Sequence, residues 1–163
     1  MDIDLSRIKI RRVELNGVKV LTDYRLQYLT EMQGEKSLAY KEKLRGELEL
    51  FFTNSMNEGS FFAVVAEYEE NALAFGGMVI RKIPGDFSRP TYKEADILNM
   101  YTIPEARRKG ISSLILKNLL IEAQQLGITK VSLHTSKDGE QLYRKFGFKD
   151  PVFPVLELDI KQN

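Results

Sequence analysis

The residues best suited to chemistry are three consecutive cations that stand just before a long amphipathic stretch. Arg107, Arg108 and Lys109 follow an apolar run that is typical of a strand, and Gly110 leads into the amphipathic stretch. The first N–H groups of a helix are unpaired and carry a partial positive charge, so they favour anions. Residues 99–113 therefore predict a phosphate or pyrophosphate site, although three cations alone are more often a solvated surface turn.

Residues 107–112, RRKGIS, match neither of two common nucleotide-binding motifs. They lack the Gly-Lys-Ser/Thr that completes a P-loop, and they lack the three spaced glycines of the dinucleotide-binding fingerprint. A plain binder of nucleotide phosphates remains open as a weaker interpretation.

Composition narrows the chemistry further. The 163 residues include 24 basic and 23 acidic side chains, a net charge of +1, so we expect no general affinity for nucleic acid or an anionic membrane. There are no cysteines and one histidine, which exclude a disulfide framework, a thiolate metal site, a cysteine nucleophile and a histidine cluster. We expect no metal site.

Length and targeting signals indicate a single cytoplasmic domain. The chain is long enough for one domain with its own core, and no linker or repeat divides it, so we predict one domain over residues 1–163. The N-terminus lacks the basic and apolar regions of a signal peptide, and no run approaches the roughly 18 apolar residues that span a bilayer. We therefore expect a cytoplasmic protein without a membrane partner.

The elements that must position the basic turn follow from hydrophobic periodicity. The predicted order is β, α, α, β, β, β, α, β, α, β. We predict strands at 5–13, 61–68, 73–82, 95–102, 130–134 and 155–160, and helices from 21 to a stop at Gly34 and at 36–57, 110–126 and 138–146. The βαβ step around 110–126 implies parallel neighbours, and the 61–82 hairpin implies antiparallel ones, so a mixed sheet with helices on its faces is expected.

Three local features are also predicted. Gly76-Gly77 inside a strand indicates a bulge or a close backbone approach. Residues 69–72 are expected to form the hairpin turn, and the segment 83–92, which contains Pro84, Gly85 and Pro90, is expected to be a loop. Asp138, with Gln141 three residues later, predicts a loose capping box.

Two segments, in order, resemble motifs of the GNAT superfamily of N-acetyltransferases. Residues 107–112 resemble its acyl-CoA pyrophosphate motif Q/R-x-x-G-x-G/A, with Ser112 where the family has Gly or Ala. Residues 142–148, LYRKFGF, resemble its LYeklGF segment, and the preceding 134–136 matches the strand end before it. Residues 100–105, MYTIPE, are similar to its strand entering a Pro-Glu turn.

The resemblance implies a fold and an activity. The fold would be α/β, with a mixed, mostly antiparallel sheet, a central parallel strand pair splayed for CoA, and helices on both faces. The activity would be transfer of an acetyl group from acetyl-CoA to a primary amine by direct attack. A non-catalytic CoA-binding regulatory module on the same fold remains open.

The resemblance also implies roles for particular residues. Strand 100–102 would pair with the pantetheine arm and present an N–H near Met100 to the thioester oxygen, while 107–113 would hold the pyrophosphate. Tyr143 would be the general acid that protonates the departing thiolate, with simple packing as the alternative. The implied cofactor contacts are Met100, Tyr101, Thr102, Arg107, Arg108, Lys109, Gly110, Ile111, Ser112, Ser113 and Ser136.

Other roles stay open. Glu67, Glu94 and Asp96 are candidate bases by strand position only, and His134 fits a strand residue better than a base. Asn99 either closes a bulge or touches the acceptor, and Tyr101 is core or faces the substrate. The acceptor is expected to be a small-molecule or peptide amine. Its site would be shaped by 20–57 and 83–92, and the acyl group is acetyl or longer. A homodimer is plausible.

Overall fold

The computed structural model describes residues 3–160, apart from the side chain of Thr91. The first two and last three residues of the predicted domain lie outside the described residues. The chain divides between Leu133 and His134 into two compact units. No helix in the described residues is long and apolar enough to cross a membrane.

The first unit contains a five-stranded sheet whose strands lie in chain order. Neighbours are antiparallel except the last pair, which is parallel. The elements are β1 (Lys9–Arg12), α1 (Val18–Gln33), α2 (Leu38–Asn57), β2 (Phe61–Tyr68), β3 (Asn71–Pro84), β4 (Thr91–Thr102), α3 (Ile111–Gln125) and β5 (Ile128–Ser132). The predicted mixed α/β fold and the order of elements through β5 are confirmed.

Local hydrogen bonds explain where the boundaries differ from the prediction. The Asp4 carboxylate accepts from the Ser6 N–H at 2.9 Å and starts a short 3-10 turn, so the first strand begins at Lys9 and not at residue 5. The predicted 83–92 loop shrinks because Ile83 pairs with Tyr92 in the β3–β4 ladder.

The β2–β3 hairpin turns on two residues, where the sequence predicted four. Glu69 and Glu70 have positive φ angles of 48° and 65°. Positive φ at both central residues is the signature of a type I′ turn, whose twist matches that of the flanking strands. Asn71 is already paired with Tyr68, so the strands approach closely from the first residue after the turn.

Helices cover both faces of the sheet, as expected. On one face, α1 and α2 enclose an apolar cluster of Val13, Val18, Leu21, Phe52, Phe61, Ala63, Val65, Phe75 and Tyr101. On the other face, α3 packs Ile115 and Leu119, both fully buried, against β3. Residues next to each other on β4 therefore face different helices: Tyr101 belongs to the α1 face, and the Met100 sulfur lies on the α3 face.

Both predictions made for Gly76-Gly77 are confirmed. The β3–β4 register shifts here: Gly77 is opposite Asn99 and Met78 is opposite Ile97, which leaves one β4 residue, Leu98, unmatched as in a bulge. A Cβ on Gly76 would lie 2.7 Å from Ile115 Cγ2 and Leu119 Cδ1 and 2.8 Å from Met100 Sδ. Gly76 lets α3 approach the sheet directly behind this part of β4.

Among its described residues, 134–160, the second unit contains one helix, α4 (Lys137–Lys145). Its N-cap is Ser136, whose hydroxyl oxygen accepts from the Gly139 N–H at 3.3 Å. The predicted capping box of Asp138 and Gln141 is therefore wrong, because Asp138 already lies inside the first helical turn.

The predicted strand at 155–160 is also wrong, since the described residues after α4 contain no strand. Leu156, Leu158 and Ile160 are all more than four-fifths exposed. Alternation specifies which side chains share a face, but it does not supply a partner strand. As a result β5 is an edge strand of the described sheet, and the parallel pair, expected at the centre, lies at that edge.

We predict that Gly76→Ala lowers the free energy of unfolding by about 1–3 kcal/mol, because its Cβ enters a filled contact between β3 and α3. Gly46→Ala is the control: it lies in α2 with no atom within 4 Å of the new Cβ, so stability should rise by about 0.5–1 kcal/mol. Urea unfolding of both variants measures this. Equal stability of Gly76→Ala and the wild-type protein would contradict the packing.

Candidate functional site

The basic turn, residues 107–110, has an unusual backbone conformation. After β4 the chain makes a 3-10 turn over Pro104–Ala106. Arg108 then adopts a φ of 61° and Gly110 a φ of 81° before α3 begins at Ile111. The left-handed region is uncommon for a residue other than glycine. Such departures from regular backbone often form concave sets of N–H groups that bind anions.

The N–H groups of this turn are open. Across the described residues, those of 108–112 donate no hydrogen bond. The neighbouring N–H groups are occupied: Arg107 donates to the Pro104 carbonyl at 3.3 Å and Ser113 to the Gly110 carbonyl at 3.1 Å. Five consecutive donors at the positive end of a 15-residue helix, beside the Arg108 and Lys109 side chains, favour an anion, and phosphate binding there stays a prediction.

Ser112 occupies the motif position where the family has Gly or Ala, and its hydroxyl has a partner. Ser112 Oγ lies 3.0 Å from Thr102 Oγ1, and Thr102 is buried. This bond joins the first turn of α3 to the last residue of β4. The Ile111 side chain is buried in the core, so only its main-chain N–H could contact a ligand. The Ser113 side chain is half-buried.

The second half of β4 has an open edge. β5 pairs with β4 only over Lys93–Asp96, so residues 97–102 have no strand on the side away from β3 among the described residues. The Ile103 N–H donates to the Leu73 carbonyl on β3 at 2.9 Å. Because antiparallel ladders alternate, the main-chain groups of Met100 and Thr102 point to the open edge. The Met100 N–H is thus available there.

The Arg107 side chain ties this edge to α1. Its Nε donates to the Thr102 carbonyl at 2.9 Å, and its Nη2 donates to Glu31 Oε2 at 2.6 Å. The guanidinium also lies 5.6 Å from the centre of the Tyr101 ring. Pyrophosphate binding by Arg107 stays a prediction. In this structure its guanidinium binds protein groups, which leaves Arg108 and Lys109 as the freer cations.

Glu31 and Tyr101 complete this link. The Tyr101 hydroxyl donates to Glu31 Oε1 at 2.7 Å. Partial burial works to raise the pKa of Glu31, but the hydrogen bonds from Tyr101 and Arg107 outweigh it and lower that pKa below its ordinary value. Burial, together with the Glu31 carboxylate, raises the pKa of Tyr101 to about 12. Tyr101 is therefore a neutral donor at neutral pH.

A second polar contact joins α1 to the bulge of β4. Arg25 Nη1 donates to Asn99 Oδ1, and Asn99 is buried. The Arg25 guanidinium lies 5.6 Å from the centre of the Tyr28 ring. Arg25 Nε is buried without a hydrogen-bond partner, and burial lowers the pKa of this guanidinium. The Asn99 side chain therefore lies on the α1 face of the bulge. Both roles expected for it, closing the bulge or touching the acceptor, stay predictions.

Sequence reasoning missed Arg25 and Glu31. Both lie on α1 among its apolar positions, where a charged residue usually indicates the solvent side. Their partners on β4 are 70 and 74 residues away in the chain. The available signal was Tyr28, three residues after Arg25, since an aromatic ring at that spacing can cover a guanidinium.

The three candidate bases all face cations. Glu94 lies 3.6 Å from both Arg81 and Lys130, and Asp96 lies 2.8 Å from Arg81. Glu67 binds Arg11 through both carboxylate oxygens, at 2.5 and 3.0 Å. Their roles as bases stay predictions. Each of the three carboxylates contacts a cation, so this contact does not distinguish one of them from the others.

The remaining predicted residues belong to the second unit. The Tyr143 ring packs edge-on against Phe148, with 5.7 Å between ring centres. Ser136 caps α4 through its hydroxyl oxygen. His134 is exposed, with Nε2 3.9 Å from Glu157 Oε1. The catalytic role of Tyr143 and the cofactor contact of Ser136 stay predictions.

Residues 19–148 match the family model described as "Acetyltransferase (GNAT) family". No curated protein matches the chain at a significant level. The match includes α1 from its second residue, the whole sheet from β2 onward, the basic turn and α4.

Solved structures share the fold over almost the whole chain. A predicted acetyltransferase with acetyl-CoA from Clostridium acetobutylicum is 27% identical, with a TM-score of 0.81 over 93% of this chain and 96% of that one. A GCN5-related N-acetyltransferase from Ralstonia eutropha JMP134 is 21% identical, with a TM-score of 0.76 over 93% and 98% of the two chains. Glucosamine-6-phosphate N-acetyltransferase from Arabidopsis thaliana is 20% identical, with a TM-score of 0.68 over 93% and 97%. The last two show the fold alone.

We predict that Glu31→Gln lowers the melting temperature at pH 7 and that this deficit shrinks as the pH falls below 4.5, the ordinary pKa of the carboxyl. A carboxylate whose pKa is lowered by folding stabilises the folded state above its ordinary pKa. That contribution is lost as the pH falls through the folded value. Because both Glu31 and Arg107 are about two-fifths exposed, the effect should stay below about 1 kcal/mol.

Glu47→Gln, which removes an exposed acid with no ion pair among the described residues, is the control. It should not change the pH dependence of melting. A Glu31→Gln deficit that is the same at pH 3.5 and pH 7 would show that the charge of Glu31 does not stabilise the fold.

Proposed function

We propose, since this chain belongs to the acetyltransferase (GNAT) family, that it transfers an acetyl group from acetyl-CoA to a primary amine by direct attack. The observation that carries the proposal is the adjacency of two open sets of main-chain groups. One set is the free N–H groups of 108–112, and the other is the open edge of β4 at 97–102, which comes just before them in the chain.

Acetyl-CoA has groups that suit both sets. Its pyrophosphate would accept hydrogen bonds from the N–H groups of 108–112, with Arg108 and Lys109 adding positive charge. Its pantetheine arm carries amides that would pair with the open edge at 100–102, as an added strand does. The Clostridium acetobutylicum structure, which is similar over the full fold, is one with acetyl-CoA.

The proposed reaction uses these contacts together with Tyr143. The neutral amine attacks the thioester carbonyl carbon, and the carbonyl oxygen gains negative charge, which the Met100 N–H would stabilise. The carbon–sulfur bond then breaks, and the departing thiolate takes a proton from the Tyr143 hydroxyl. The nitrogen loses its extra proton to water, and Tyr143 regains its proton from solvent. The amide and CoA are released.

Thiol release from acetyl-CoA in the presence of a broad panel of amines tests the activity. Calorimetry with CoA tests the binding step separately. Tight CoA binding without turnover on any amine would support a CoA-binding regulatory module instead. Displacement of CoA by ATP would support a general nucleotide-phosphate site.

We predict that Gly110→Ala weakens CoA binding by about tenfold or more, because alanine is strained at the φ of 81° and would displace the neighbouring N–H groups that are proposed to hold the pyrophosphate. Gly127→Ala is a matched control at the other end of α3. Its φ of 71° is close to the 81° of Gly110, and no atom lies within 4 Å of its new Cβ. Both variants should lose similar stability. Equal CoA affinity in the two variants would contradict the pyrophosphate site.

We predict that Tyr143→Phe lowers kcat by about a hundredfold or more while CoA affinity stays unchanged, as expected for loss of a general acid. Tyr40→Phe removes an exposed hydroxyl from α2 and should leave kcat unchanged. Single-turnover measurement of thiol release reads the chemical step directly. An unchanged step in Tyr143→Phe would remove the general-acid role but leave acetyl transfer intact.

A further inference from the structure

Arg25 is a partly buried cation with no anionic partner. Among the described residues no carboxylate forms an ion pair with it, and its one hydrogen bond is to the neutral amide oxygen of Asn99. Its Nε is buried and unbonded, while Nη2 is not fully enclosed and also makes no hydrogen bond. The nearby acid on the same helix, Glu31, is already bonded to Arg107 and Tyr101.

This arrangement is costly unless something else supplies a negative charge. A guanidinium stays protonated at neutral pH, and removing a cation from water without a counter-charge costs free energy. Proteins usually pair a buried arginine with a carboxylate of their own. The Tyr28 ring offsets only part of this cost, because a cation–π contact is worth about 0.5–2 kcal/mol.

Asn99 provides a second donor beside Arg25. A guanidinium can only donate hydrogen bonds, so the Asn99 atom that faces Arg25 must be the oxygen. The Asn99 amide nitrogen, Nδ2, is then left with two N–H groups and makes no hydrogen bond among the described residues. Free donors of a cation and an amide, side by side, suit an oxyanion with two acceptor oxygens.

The position of this pair relates it to the proposed reaction. Asn99 is at the β4 bulge and directly precedes Met100, whose N–H is proposed to face the thioester oxygen. Asn99 and Tyr101 lie on the α1 face, away from the α3 face where the Met100 sulfur packs. A molecule bound to Arg25 and Asn99 would therefore lie one residue from the proposed acetyl group, on the α1 side.

We propose that Arg25 and Asn99 bind a carboxylate of the acceptor, so that the substrate is an amine that also carries a carboxylate group. This inference rests on the proposed acetyl transfer. One unpaired positive charge matches the single negative charge of a carboxylate, whereas a phosphate monoester carries nearly two. Arg45, which contacts α1 from α2, is already paired with Asp23 at 2.6 Å and adds no free charge.

The test compares amines that differ only in this group. Free amino acids and their carboxamides are supplied with acetyl-CoA, with phosphoethanolamine as the phosphate arm. The wild-type protein should acetylate the best acids with a kcat/KM about tenfold to a hundredfold above that of their amides, the range for a hydrogen bond to a charged group. Arg25→Gln should lose that preference, and Arg25→Lys should keep part of it.

Two further measurements keep the outcomes separate. Arg45→Gln removes a guanidinium from the same pair of helices and should leave the preference unchanged. CoA affinity should be equal in the wild-type protein, Arg25→Gln and Arg45→Gln, which shows that each is folded. Amides accepted as well as acids, phosphoethanolamine preferred over every acid, or an intact preference in Arg25→Gln would each overturn the proposal.

If no amine is acetylated, the acids and amides are titrated into the CoA-loaded protein by calorimetry. Binding of acids but not amides, lost in Arg25→Gln, would support the carboxylate site while acetyl transfer fails. Absence of any such difference in binding would overturn the carboxylate site itself.

Discussion

The interruption of pairing between β4 and β5 is the constraint on which the rest of the site depends. The two strands pair only over Lys93–Asp96, and beyond that point β4 continues with one edge unsatisfied. Buried main-chain groups without partners are costly, so an open edge of this kind is stable only where solvent or a ligand bonds to it. The Thr102 carbonyl is satisfied within the protein, because it accepts a hydrogen bond from Arg107 Nε. Met100, two residues earlier, has no such partner among the described residues.

Several contacts hold this open edge in place. Gly76 allows α3 to lie directly behind Met100, and the Ser112–Thr102 bond fixes the start of that helix to the end of the strand. On the other face, Glu31 connects α1 to the turn through Arg107. The strand edge and the N–H groups after it are thereby set by packing from both sides of the sheet. Such preorganised donors cost little reorganisation when a charge develops near them.

The two faces of β4 separate two tasks. The α3 side supplies the helix terminus and cations suited to a pyrophosphate, and the α1 side supplies Arg25 and Asn99. Because neighbouring residues of a strand point to opposite faces, a single stretch of β4 can serve both sides. Because side chains alternate between the two faces along β4, the proposed cofactor and acceptor contacts lie within one or two residues of each other.

The sequence predicted the fold well where periodicity and motif agreed. The strand at 61–68 matched to the residue, and the helix predicted at 110–126 was found at Ile111–Gln125. The open donors of 108–112 lie within the motif and could be located from it. The predicted strand at 155–160 failed because alternation carries no information about a partner edge. Glu31 and Arg25 could not be found from the sequence, because their roles come from contacts across 70 and 74 residues.

The most direct test of the central claim is amide hydrogen exchange, followed by NMR, before and after addition of acetyl-CoA. If β4 and the turn after it hold the cofactor through main-chain groups, exchange at Met100 and at 108–112 should slow on binding. The amides of Lys93–Asp96, already paired with β5, should change little. Saturating acetyl-CoA that leaves exchange at Met100 and 108–112 unchanged would contradict the account.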